Sequence, residues 1–505
     1  MKAPVRTAFL KTAALTAVCC VFAAATKSAE AKPDMTDQTI SDKIDEELLL
    51  DPGVVSTKID VRTSDGIVTL TGDVTNILAK ERAARVAEIV KGVRSVVNRI
   101  EVSRSIGRSD AQIRRDVETA LLDDPATESY EITTTVENGE ATLTGTVESY
   151  QERELAKTVA KGVRGVVAIN DEIDVDYKSD RADSEIKHEI EQALRWNTHV
   201  DNYLINVSVK DGTVALSGTV GSAAEKRMAE SDAWVAGVSS VDSSKLTVEG
   251  WARDDKLRGD KYVVKSEDEL RDAVKDALLY DPRVMSFNVD VDVVGSTVTL
   301  RGEVDNLKAK RAAEQGATNT VGVSYVDNRL KVRLDSWPND SEVAEDIRSA
   351  LLRDPYVERF EVTVSVIDGT AHLYGTVDSS FEKNRADDVA SRITGVLDVE
   401  NHLLVDYDTA YIYDPYVDDY VSDDELIDYD RRAPLETDSQ IKESIESELW
   451  WSPFVDSDEV SVTVDDGVAT LTGTVDSSGE RHSATENAYE GGATLVDNDL
   501  VVNYD

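Results

Sequence analysis

Residues 65–74 read DGIVTLTGDV, and the same ten-residue phrase returns five more times. It is NGEATLTGTV at 138–147, DGTVALSGTV at 211–220, GSTVTLRGEV at 295–304, DGTAHLYGTV at 368–377 and DGVATLTGTV at 466–475. Asn-Gly or Asp-Gly opens five of the six copies, and such pairs favour the type I′ turn of a two-residue β-hairpin. Gly295-Ser296 opens the other copy and suits a type II′ turn. Beyond the turn, apolar and polar residues alternate: Val68, Leu70 and Val74 fall on one face, as in a half-buried strand. Each strand is interrupted by a glycine, namely Gly72, Gly145, Gly218, Gly302, Gly375 or Gly473. A glycine inside a strand marks a bulge or a close backbone approach, expected here from a packed helix.

Working outward, each phrase is preceded by an apolar stripe with a four-residue step. It runs Ile40, Ile44, Leu48; Ile113, Val117, Leu121; Ile186, Ile190, Leu194; Leu270, Val274, Leu278; Val343, Ile347, Leu351; and Ile441, Ile445, Leu449. That spacing predicts an amphipathic helix. Pro52, Pro125, Pro282, Pro355 and Pro453 end five of these helices, because proline cannot continue one. Thr198 stands in the third copy, where a weaker stop is expected. A second helix follows each phrase, with N-caps at Asn76, Ser149, Ser222, Asn306, Ser379 and Ser477. Glu152, Glu225, Glu382 and Glu480 complete capping boxes in four copies. These helices end near Gly92, Gly165, Gly237, Gly322, Gly395 and Gly492. A last strand follows.

The predicted class is therefore α+β: six tandem αββαβ modules of roughly 70 residues, each a three-stranded sheet covered by two helices on one face. The modules span 36–104, 109–178, 182–250, 266–334, 340–407 and 437–505. Linkers are expected at 251–265 and at 408–436. The second is rich in tyrosine and aspartate and is read as an extended acidic segment.

This unit, with its Leu-x-Gly strand and later Gly-Val strand, resembles the BON domain (bacterial OsmY and nodulation). Departures are local: Thr198 for proline, Gly295-Ser296 at one turn, and Gly492-Ala493 before the last strand. The resemblance implies a non-catalytic protein of the bacterial envelope, binding phospholipid surfaces or envelope proteins, often under osmotic stress. A soluble periplasmic chaperone or scaffold with no lipid-binding step is the alternative.

The first 31 residues carry a signal-peptide pattern: basic Lys2, Arg6 and Lys11, an apolar run at 12–25, and Ala29-Glu30-Ala31 as a cleavage site. Periplasmic export is expected. An outer-membrane lipoprotein is disfavoured, because Val18 and Cys19 precede Cys19 and Cys20 where a small residue is required. Cleavage removes both cysteines and leaves no thiol to oxidise. The net charge of −44 disfavours nucleic acid and, on average, anionic lipid.

No catalytic, cofactor-binding or metal-ligating set is expected, nor a small-molecule substrate. The five histidines, His188, His199, His372, His402 and His482, fall at unrelated positions of different copies. The acidic segment lacks the ligand spacing of a calcium loop. One position does vary: Leu50, Asp123, Trp196, Tyr280, Arg353 and Trp451 close the first helices, pointing away from the stripe. Trp196, Trp450, Trp451 and Phe454 thus put aromatic bulk at a helix end. They serve either packing against a neighbouring module or contact with a membrane or partner.

Overall fold

The computed structural model describes residues 35–54, 58–103, 107–127, 130–177, 181–253, 255–279, 281–284, 288–334, 338–357, 361–405, 437–493 and 495–503. The signal-peptide pattern and the acidic segment at 408–436 lie outside the described residues. The chain divides into two compact units, Met1–Met35 and Thr36–Asp505, and the second holds all six modules.

Module 1 shows why the sequence folds as it does. Helix α1 (Asp37–Leu50) starts where the Thr36 hydroxyl accepts from the Thr39 amide. It buries Ile40, Ile44 and Leu48. Strands β1 (Ile59–Ser64) and β2 (Ile67–Val74) form the antiparallel hairpin. Helix α2 (Ile77–Glu88) then crosses over, and β3 (Ser95–Val102) pairs parallel to β2. The quoted phrase is therefore the central strand. The same strand order recurs in all six sheets, although in module 4 the last strand is split into Tyr325–Asn328 and Lys331–Val332. Each module has its own apolar core. No helix among the described residues is long and apolar enough to cross a membrane.

The hairpin turn has positive φ at both central residues, 52° at Asp65 and 72° at Gly66, as type I′ geometry requires. It is anchored by a residue that the sequence reading passed over. The Asp37 carboxylate accepts from the Asp65 and Gly66 amides at 2.8 and 2.9 Å. Asp110, Asp183, Asp340 and Asp438 repeat the contact on their own turns. Glu267 reaches only the Gly295 amide. The acid at the first helical position thus ties the helix start to the hairpin through charge-assisted bonds.

Three expectations are corrected. The strand glycine is crowded by its own hairpin partner, not by a helix. A Cβ on Gly72, at φ +133°, would lie 1.8 Å from the Lys58 carbonyl oxygen. The glutamate of each capping box reaches one residue past the cap: Glu152 accepts from the Glu148 amide at 2.7 Å, while Ser149 caps the Glu152 amide.

The third concerns Thr198 and the linker at 251–265. The module 3 helix ends at Trp196, in step with the other copies, where residues 250–253 and 255–262 form a packed strap. Within it the Lys261 ammonium is buried and donates to the Leu194, Asn197 and Val200 carbonyls. The Tyr262 hydroxyl donates to the Thr198 carbonyl at 3.2 Å. Orphan carbonyls at this helix end are capped by a side chain from the next segment.

Modules meet through three recurring joints. In the first, the residue that opens a second helix enters the end of a neighbour. Ile77 of module 1 joins the core of module 2, and Ala223 of module 3 joins that of module 1. Tyr150 of module 2 stacks on Trp234 of module 3 at 4.0 Å and 5°. Modules 1, 2 and 3 thereby close a ring. Leu307 carries the same contact from module 4 to module 5, and Ser478 from module 6 to module 4.

In the second joint, a first-helix end accepts a backbone hydrogen bond from the turn after another module's second helix. Lys91 donates to Trp451 at 2.9 Å, Arg164 to Arg353 at 2.6 Å and Val321 to Trp196 at 2.8 Å. This couples modules 1 and 6, 2 and 5, and 3 and 4. The third joint couples modules 1 and 5, 2 and 4, and 3 and 6. Tyr356 donates to the Gly53 carbonyl at 3.1 Å, Lys308 pairs with Asp124 at 2.6 Å, and Phe454 meets His199 edge-on at 5.5 Å. Each of modules 1, 2 and 3 thus faces two of modules 4, 5 and 6.

Candidate functional site

The ends of the first helices carry most of the informative side chains. Three consecutive residues there do three jobs. The stripe residue, such as Leu48, fills its own core. Two residues further on, Asp123, Trp196, Arg353 and Trp451 make joints between modules. Between them lies Leu49, Leu122, Leu279 or Leu352, with 64, 64, 49 and 40% of its surface exposed. Arg195 and Trp450 take that place in modules 3 and 6. A single exposed leucine is ordinary, but four at one repeated position make a regular set of apolar points. The sequence reading missed them by fixing on the variable residue one step later. Their signal was a leucine directly after the stripe in four copies.

Of the two readings for the helix-end aromatics, packing against a neighbouring module and contact with a membrane or partner, the structure shows the first. Trp451 is 8% exposed and lies in the core of module 1. Trp450 packs beside it, edge-on at 4.7 Å, with the Lys91 ammonium 5.4 Å from its ring. Trp196 packs against the core of module 4. Phe454 sits under the Arg253 guanidinium at 5.5 Å as well as against His199. The physical reason is common to all four: each follows the stripe where the second and third joints form, so another module takes the aromatic surface. Leu50 closes its helix at the same position; its side chain, and Tyr280 altogether, lie outside the described residues.

Charge is buried at these joints. Lys43 of module 1 reaches Glu448 of module 6 at 2.7 Å and Glu47 at 2.5 Å, with Glu46 at 3.7 Å. Burial, then the neighbouring Glu47, push Glu448 from the ordinary 4.5 up to about 8, against the pull of Lys43. Glu490, also raised by burial and Glu47, adds to the same acidic crowding. The folded value of Glu448 lies above its unfolded one, so the protonated form favours the joint. That contribution is complete below the ordinary carboxylate range and fades as pH rises towards about 8. We expect module 6 docking, followed as the melting temperature of the full chain, to weaken between about pH 5 and about pH 9, with Glu448→Gln flattening the profile. An unchanged profile in that variant places the pH dependence elsewhere.

A second buried charge cluster surrounds the strap. Asp201 pairs with Arg258 at 3.4 Å, and Glu225 accepts from the Asp201 amide at 2.7 Å. Burial pulls Lys261 down to about 8, opposed by Asp201, Glu225 and Asp232. Burial likewise lowers His199 to about 4, helped by Arg253 and Lys261. These groups hold modules 3 and 6 and the strap together.

A polar cleft of about 430 Å³ lies between modules 4 and 6, lined by Glu314, Tyr325, Ser478, Arg481, His482 and neighbours. Arg481 there donates to the Ser324 carbonyl at 3.0 Å, so it serves the joint. His188 lies on an exposed helix face, and His482 stands 3.4 Å from Glu486. His372 and His402, in contrast, come together on the module 5 sheet.

The BON domain family matches residues 36–104, 109–177, 182–250, 266–333, 339–407 and 437–504. The chain belongs to the BON domain family. Its BON modules are also similar to Osmotically-inducible protein Y of Escherichia coli (strain K12), 36% identical over 136 residues, which is 26% of this chain and 68% of that protein. Among solved structures, CdsD, a structural protein of the type III secretion system of Chlamydia trachomatis, aligns over 41% of this chain and 90% of its own at 15% identity. Its TM-score of 0.12 gives that likeness no weight.

Proposed function

We propose that this is a non-catalytic envelope protein of the osmotic-stress type, exported to the periplasm, that binds phospholipid surfaces through its repeated BON modules. The observation that supports this is the recurrence of exposed Leu49, Leu122, Leu279 and Leu352 at one position of four modules. Each is an apolar point at a helix end, able to enter the acyl boundary of a bilayer. Linked weak contacts add to one stronger attachment. The kinship with Osmotically-inducible protein Y supports the envelope and osmotic setting.

The net charge of −44 favours a second reading, in which the same leucines meet envelope proteins or unfolded clients with no lipid step, since anionic bilayers repel the chain. Co-sedimentation with vesicles, with and without divalent cation, separates the two. The lipid reading expects binding to neutral vesicles, or to anionic ones once cation is added. Replacing the four leucines with serine should lower that binding about tenfold or more, since partial burial of each leucine is worth about 1 kcal/mol. Wild-type protein that stays in the supernatant under every condition overturns the lipid reading and leaves the client reading.

A further inference from the structure

The outer face of the module 5 sheet carries a donor set that no other module repeats. His372, on the central strand Thr370–Val377, lies opposite Glu400 on the last strand Asp398–Val405, and Tyr374 lies opposite His402. The alternate residues Ala371 and Leu373 are buried in the core, so the histidines and the glutamate project from the side away from the helices. The corresponding residues are Thr69, Thr71, Val97 and Arg99 in module 1, and Thr470, Thr472, Asp497 and Asp499 in module 6.

The three side chains converge. Glu400 Oε2 lies 3.1 Å from His372 Nδ1 and 3.2 Å from His402 Nε2. One donor atom from each residue falls within 4.8 Å of the others. The imidazole rings are nearly parallel, 6° apart in orientation with centroids 6.0 Å apart, and Tyr374 stacks on His402 at 4.8 Å. His372 Nδ1 is buried and, despite the near carboxylate, makes no hydrogen bond. It is a lone pair or N–H held without a directed partner.

We propose that His372, Glu400 and His402 form a binding site for a divalent transition metal of the zinc, nickel or copper class. A tetrahedral ion about 2.0–2.1 Å from its nitrogen ligands holds neighbouring donors about 3.3 Å apart. The two carboxylate–imidazole separations already match that edge. The remaining edge, between the two rings, closes by a small swing at an exposed surface. Two imidazoles and one carboxylate suit these metals rather than calcium or magnesium, which take oxygen donors. Three protein ligands leave a fourth position open to water or to a donor from another molecule. The acidic chain raises the local concentration of divalent cations around the site.

The test uses the full chain stripped with a chelator. Zinc is titrated against a chromogenic competitor in excess calcium, which occupies carboxylate-only sites. One zinc per chain is expected to survive the calcium. Loss of an outer partner of a ligand alone commonly weakens a site about 10–100-fold, so His372→Ala or His402→Ala should cost no less. His188→Ala, far from the cluster in sequence and on a helix, should leave the titration unchanged. Cobalt gives an independent reading on unaltered protein: a visible absorption band of tetrahedral, nitrogen-ligated metal. Zinc binding equal in wild type and the His372→Ala/His402→Ala double variant, zinc displaced by calcium, or the absence of a nitrogen-ligated cobalt spectrum each overturns the proposal.

Discussion

Trp451→Ala should destabilise the folded chain by about 3–5 kcal/mol and release module 6 from module 1. The indole is 8% exposed and belongs to the apolar core of module 1. Its loss leaves a large cavity in a core other than its own. The Trp451 carbonyl also accepts from the Lys91 amide at 2.9 Å, next to the buried Lys43–Glu448 pair. Module 6 keeps Ile441, Ile445 and Leu449 in its own core, so it should stay folded while undocked. Amide hydrogen exchange reads this directly: protection at Lys91 is lost and the centre of the module 6 sheet stays protected. A contact reserved for a membrane would leave the melting temperature and the Lys91 amide unchanged.

Gly375→Ala should unfold module 5, at a cost of more than about 3 kcal/mol. The backbone there has φ +137°, and an added Cβ would stand 1.8 Å from the Glu361 carbonyl oxygen. The obstacle is backbone in the paired strand, so no side chain can turn aside to relieve it. Gly250→Ala is the matched control, because nothing lies within 4 Å of its Cβ position. Thermal melts of the two variants should differ by the whole effect. A Gly375→Ala chain that melts like wild type contradicts the hairpin geometry that all six copies share.

These two residues also mark what could be read in advance. The module was legible because its determinants are local: the I′ turn pair, the four-residue stripe and the N-caps act within about thirty residues of each other. The strand glycine was recognised as special, yet its obstacle was misplaced, since sequence does not say which backbone approaches it. The joints were not legible. Trp451 is an aromatic residue at a helix end whether module 1 or a lipid covers it, and only three-dimensional neighbours decide. Lys261 and Arg258 looked like linker charge because their partners, Leu194, Asn197, Asp201 and Asp476, lie far back or far ahead in the chain. His372 and His402 looked scattered because parallel strands joined by a helix bring distant positions side by side. The exposed leucines were hidden by adjacency to the stripe, where a leucine reads as core.

The central claim is that the six BON modules close on one another instead of hanging as separate beads. Small-angle X-ray scattering of residues 36–505 tests it most directly. A closed body of this length should have a radius of gyration of about 23 Å. A value roughly twice that, with a scattering profile of separated modules, contradicts the account.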